Sequence, residues 1–179
     1  MGWKMKQLLT LALFSVLFVG CKKESKESNS AGVDFTTIRR FDIEANFLGT
    51  EGDASDDYTH EEWPQWVYDA FKPMDTTSLV GYEQSQVSID ALYPNPFSYT
   101  QTMRLFATQP ANLKVIIMDV HKKVLFARSM HAFTGIQFKE FDYSDLNLQP
   151  NTFYRMFYGF SAEGKPFFLR GHIDIYKQL

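Results

Sequence analysis

The sequence predicts a mainly β fold: an antiparallel β-sandwich of about seven strands with one short helix on its N-terminal side. Three observations lead there. From Val87 onward, short strand-like segments follow one another between regular turn signals, with no helical period. Aromatic residues make up 16% of the chain, with 17 Phe and 9 Tyr, enough bulky filler for the two inner faces of a sandwich. Only one stretch, Trp63 to Phe71, carries a complete helical period.

The chain opens with a different kind of segment. Residues 1–6 carry Lys4 and Lys6 and no acid, residues 8–19 are an apolar run, and Gly20 and Cys21 follow. A basic start, a short apolar centre and a small residue at the cut form a secretory signal pattern over residues 1–20. As a helix the apolar run rises ~18 Å, too short for a hydrocarbon core of ~30 Å. Phe18-Val19-Gly20-Cys21 resembles a bacterial lipobox, with Phe where Leu is usual. That resemblance implies diacylglycerol and acyl chains on Cys21, the one cysteine of the chain, and a protein held at a membrane. Residues 21–32 continue as a flexible tether, because Lys22 to Gly32 holds no large apolar side chain to bury. Lys22-Lys23-Glu24 and Lys26-Glu27 partly match the surface-export signal of Bacteroidetes lipoproteins.

Residues 33–86 supply a strand, an acidic loop and a helix. Phe41 to Phe47 alternates apolar and polar side chains and predicts a strand buried on one face, broken by Gly49 and Gly52. The acidic loop holds Asp53, Asp56 and Asp57 beside His60. These are weak candidate calcium ligands, since Tyr58 stands where an EF-hand needs Gly and Pro64 where it needs Glu. Helix initiation explains the acids better: Thr59-x-x-Glu62 has the capping-box pattern, and Pro64 places the first turn near Glu62 or Trp63. Trp63, Trp66, Val67, Ala70 and Phe71 then share one helix face, up to Pro73. That face packs on the sheet or plugs one end of it. The functional alternative is a glycan platform built from Tyr58, Trp63 and Trp66, which requires the two indoles to be exposed and coplanar.

Residues 87–179 are the sandwich. After Val87–Ala91 comes Tyr93-Pro94-Asn95-Pro96-Phe97, which must be extended but cannot pair as a central strand. It suits a crossing at the sandwich edge, with Tyr93 and Phe97 filling the core. Six more strands are expected at Thr102–Ala107, Leu113–Val120, Val124–Met130, Ile136–Tyr143, Phe153–Ser161 and Phe167–Tyr176.

The Tyr93–Phe97 segment resembles the opening of a bacterial Ig-like β-sandwich family. That family includes type IX secretion C-terminal sorting domains and the Ig-like domain of flagellar hook-capping proteins. Val115 to Val124 matches the family's strand and Tyr-Asp-x-x-Gly-like turn, with Asp119 at the Asp position and Lys122 or Lys123 in place of Gly. Leu148 to Tyr154 is similar to its Leu-Pro-x-Gly-x-Tyr stretch, with Asn151 replacing Gly. The resemblance covers about half the chain and implies an Ig-like sandwich in a small Bacteroidetes-type lipoprotein. A working sorting domain in a type IX cargo is the other reading it allows.

Active-site constellations do not emerge. His60, His121, His131 and His172 form no metal-binding pair, and no nucleophile elbow or phosphate loop is present. His172 and Asp174 share one face of the last strand, where a solvent-facing stripe explains them better than a relay. Arg104, Arg128, Arg155 and Arg170 are expected to face solvent as well. A net charge of −3 argues against nucleic acid as a partner. The expected protein is a non-catalytic structural or protein-interaction module of the cell envelope, at the outer membrane. Its only modification is the lipid on Cys21, and its partner is an envelope protein or a glycan.

Overall fold

The computed structural model describes residues 35, 37–52, 62–74, 86–162 and 165–179. The expected signal and tether, Cys21, and Asp53, Asp56, Asp57, Tyr58 and His60 lie outside the described residues. So does most of the connector before Val87. Among those described, nine strands and one short α-helix occur: seven strands from Val87 onward, as expected, and two before the helix where a single strand was expected. That pair is an N-terminal hairpin.

That hairpin consists of β1 (Thr37–Phe41) and β2 (Phe47–Gly52), paired antiparallel. The predicted strand from Phe41 to Phe47 is therefore its turn. Asp42 dictates this. Its carboxylate accepts the backbone N–H of Glu44 (3.0 Å) and of Asn46 (2.8 Å) and the Asn46 side-chain amide (2.9 Å). Such local bonds favour a turn over a strand ladder. Ala45 turns the corner at φ 65°, Gly49 lies within β2, and Gly52 is the last residue of β2.

Seven strands build the sandwich: β3 (Val87–Tyr93), β4 (Thr100–Ala107), β5 (Ala111–Met118), β6 (Val124–Ala132), β7 (Gly135–Asp142), β8 (Thr152–Ala162) and β9 (Lys165–Lys177). One sheet has the order β3-β4-β7 and the other β6-β5-β8-β9, all antiparallel. Alternate side chains from both sheets fill the space between them, among them Leu92, Met103, Leu105, Leu113, Val115, Ile117, Phe141, Met156 and Ile173. Between β7 and β8, the Gln149 N–H donates to the Tyr154 hydroxyl at 2.7 Å, above buried Leu148. A tyrosine at that strand start bonding back to the preceding loop is a feature of Ig-like sandwiches. Lys122 (φ 65°) and Asn151 (φ 54°), which stand where the resembled pattern has Gly, are both left-handed. The Asp119 carboxylate braces the first of these turns by accepting the His121 and Lys123 N–H groups.

Asn95 closes the free edge of β9. Its backbone exchanges two bonds with Phe41 (2.9 and 3.0 Å). Its buried side chain accepts the Tyr176 N–H (3.1 Å) and donates to the carbonyls of Asp174 (3.0 Å) and Arg39 (3.1 Å). One amide thus stands in for a missing strand and ties the hairpin to the sandwich. Phe97 fills the core as expected, whereas Tyr93 is only half-buried. The Gln101 amide locks the crossing from beneath, donating to the Pro94 carbonyl (2.9 Å) and accepting the Tyr143 hydroxyl (3.3 Å).

Helix α1 (Gln65–Phe71) lies on the outer face of the four-stranded sheet, where Val67 and Phe71 meet Ile116, Met118 and Phe157. It starts later than expected. Pro64 is the extended residue before the helix, so Trp63 and Glu62 precede it and Glu62 closes no capping box. Proline's fixed φ and missing N–H suit that boundary.

Candidate functional site

The two outer faces of the sandwich differ in kind. The four-stranded sheet is covered by the chain itself. Trp63, one of the expected platform residues, is 4% exposed there. It stacks on Phe71 (4.9 Å between centroids, 2° between planes) and meets the edges of Phe157 and Phe167. Trp66 is half-buried, edge-on to Phe157, with the Lys122 ammonium 5.1 Å above its ring. A sugar platform needs both indole faces free, and a phenyl ring already occupies that of Trp63. Tyr58 lies outside the described residues.

Four more expectations change on this face. His172 and Asp174 are buried, not solvent-facing, and Arg155 and Arg170 are mostly buried too. Arg155 makes a two-pronged pair with Asp174 (2.6 and 2.8 Å), and Arg170 reaches Glu62 beside the helix. The Tyr68 hydroxyl donates to the same Glu62 carboxylate at 3.1 Å, and burial together with that bond raises its pKa. Alternation alone marks these side chains as sharing a face; it cannot show what covers that face.

The outer face of the three-stranded sheet has no such cover among the described residues. Phe106 on β4 and Ile136 on β7 are direct cross-strand partners, and Phe138 lies two residues further on the same side. They are 41%, 68% and 61% exposed. Phe133, in the turn before β7, is exposed as well, with its ring beside the Lys139 ammonium. Arg104, opposite Phe138, is held by Asp90 at 3.3 Å, and exposed Glu140 lies two residues beyond Phe138 on the same side.

The edge of β7 is bridged at Glu140, and the turn before it is held by Gln137, while its outer face is open. The Gln137 side chain accepts the Phe133 N–H (2.8 Å) and donates to the Phe133 carbonyl, and Arg128 donates to the Glu140 carbonyl (3.2 Å). Lys139 shares the inward register of Phe141, and burial lowers its pKa. An inward charge and capped backbone groups oppose strand addition. Docking is therefore favoured on the apolar face and opposed at the edge.

Sequence reasoning placed these residues in strands but did not single them out. The signal was present as a change of phase: Ile136 and Phe138 occupy even positions, Phe141 and Tyr143 odd ones. Both sets cannot face one core. Similarly, Phe106 breaks step with Met103 and Leu105.

No group of three or more metal-ligating side chains occurs among the described residues. No protein-family model and no curated protein matches the chain.

Proposed function

We propose that this protein is a non-catalytic lipoprotein of the cell envelope, anchored by acyl chains on Cys21, whose β-sandwich docks a protein partner at the outer membrane. The observation that carries the docking role is the exposed Phe106–Ile136–Phe138 face, next to a strand edge bridged by Arg128. Single exposed apolar residues are ordinary, but a contiguous group of them marks an interaction surface. The anchor rests on the leader and on the position of the one cysteine.

Labelled palmitate incorporation in the native host, compared between wild type and Cys21→Ala, tests the anchor. Wild type should carry label and the variant none; mature protein that begins upstream of Cys21, or that carries no lipid, removes it. A photo-crosslinking residue in place of Ile136 or Phe138, in intact cells, tests the face. A discrete adduct lost in the Phe106→Ser variant supports docking there. Equal crosslinking from the solvent side of the β1–β2 turn, at Ile43, removes it.

A further inference from the structure

We propose that the cleft between the N-terminal hairpin and the β8–β9 end of the sandwich binds a pyranose sugar unit at the end of a glycan. The cleft encloses about 320 Å³ and is lined by Ile38, Arg40, Glu51, Pro96, Phe153 and Tyr176. It shares no residue with the uncovered sheet face, so it stands or falls separately from the docking role. Its size is at the low end for small-molecule sites, room for one ring and not for an extended polymer.

Three features select the ligand. First, the Phe153 and Tyr176 rings pack 4.8 Å apart on one wall, tilted by 53°; Phe35 stacks on one face of Phe153 at 6.0 Å, and the ring remains 37% exposed. The exposed part of the Phe153 ring offers an apolar surface to the C–H face of a sugar ring. Second, Arg40 and Glu51 project from neighbouring strands of the hairpin and pair at 2.6 Å, each about half exposed. Together they offer N–H donors and carboxylate acceptors side by side, the complement of two adjacent hydroxyls, each of which donates and accepts. Third, the pair is already neutralised. An anion such as phosphate or a free cation would have to break it, whereas a neutral polyhydroxylated ring bonds to both partners with the pair intact. The walls are held in place without ligand, since Asn95 bonds both the hairpin and β9 within the same junction. Preorganised walls reduce the ordering cost of binding.

Saturation-transfer NMR on the full chain in detergent tests this, with methyl glycosides of glucose, galactose, mannose and N-acetylglucosamine as probes. Glycine serves as a charged control read directly, and inorganic phosphate as one read by its displacement of bound glycoside. At least one glycoside should receive saturation from aromatic protons on its ring C–H face, with millimolar affinity. Glu51→Gln and Phe153→Ala should each weaken it about tenfold or more, while Ile136→Ser leaves it unchanged. Glu51→Gln alters only an exposed side chain, so it reports on binding even if Phe153→Ala disturbs folding. The proposal is overturned if no glycoside binds, if both variants bind like wild type, or if phosphate or glycine binds in place of sugar.

Discussion

The sandwich carries one outer face that it seals and one that it leaves open, and the contrast shows how the chain allocates its apolar residues. On the four-stranded side, β5 is buried along its whole length: Leu113, Val115 and Ile117 face the sandwich core, and Ile116 and Met118 face α1. Gly159 on β8 makes this possible, because a Cβ there would lie 2.3 Å from the Phe167 ring and 3.0 Å from Trp63. On the three-stranded side, Phe106, Ile136 and Phe138 have no equivalent of α1 among the described residues. Residues of similar hydrophobicity thus serve stability on one face and stand available for contact on the other.

The largest expected effects lie on the sealed face. Arg155→Ala removes the guanidinium partner of buried Asp174 and should cost about 3–5 kcal/mol in urea unfolding. Phe71→Ala, which empties the stack against Trp63, should cost a similar ~3–5 kcal/mol. A loss below about 1 kcal/mol in both would show that α1 does not seal this sheet in solution.

Gly159→Val tests the same packing from below. The added side chain must displace the Phe167 ring, with an expected cost of about 1–3 kcal/mol and altered near-ultraviolet circular dichroism from Trp63. An unchanged aromatic spectrum would mean that the rings do not sit on the β8 backbone.

The shared inner core should report through pH. Burial holds the Tyr143 hydroxyl well above its ordinary value of 10.0. Folded and unfolded chains are both protonated below that value, so the contribution is fully present there. As pH rises past 10.0, only the unfolded chain ionises, and stability falls toward the raised folded value. Tyr143→Phe should therefore flatten the decline of the urea midpoint above about pH 10. An unchanged alkaline slope would place that hydroxyl in water. Tyr154, whose pKa is also raised by burial, accounts for part of the slope that remains.

The smallest stability effect belongs to the open face. Ile136→Ser should change the unfolding free energy by no more than about 0.5 kcal/mol while reducing partner crosslinking and hydrophobic-dye binding. A loss as large as that of Phe71→Ala would mean the face is covered, and the contrast between the two sides would disappear.

Much of the fold was legible because strand patterns and turn chemistry are local. The predicted strand Val124–Met130 became Val124–Ala132, and Phe153–Ser161 became Thr152–Ala162. The turns at Asp119–Lys123 and Gln149–Asn151 followed from short-range bonds. The hairpin was missed because alternation from Phe41 to Phe47 mimics a strand, while the carboxylate of Asp42 bends the chain there. The candidate surfaces were less legible. Burial of His172, Asp174 and Arg155 depends on what lies across the sheet, and the cleft joins residues as distant in sequence as Ile38 and Tyr176.

The sequence by itself determined the alternating core of the sandwich, its turns and the helical stripe, since each is encoded by neighbours a few residues apart. The tertiary structure alone decided which outer face is sealed, that Asn95 stands in for a strand at the β9 edge, and where concave surface forms. Those outcomes depend on contacts between segments far apart in the chain. Periodicity specifies two sides of a strand, and only packing specifies what each side meets.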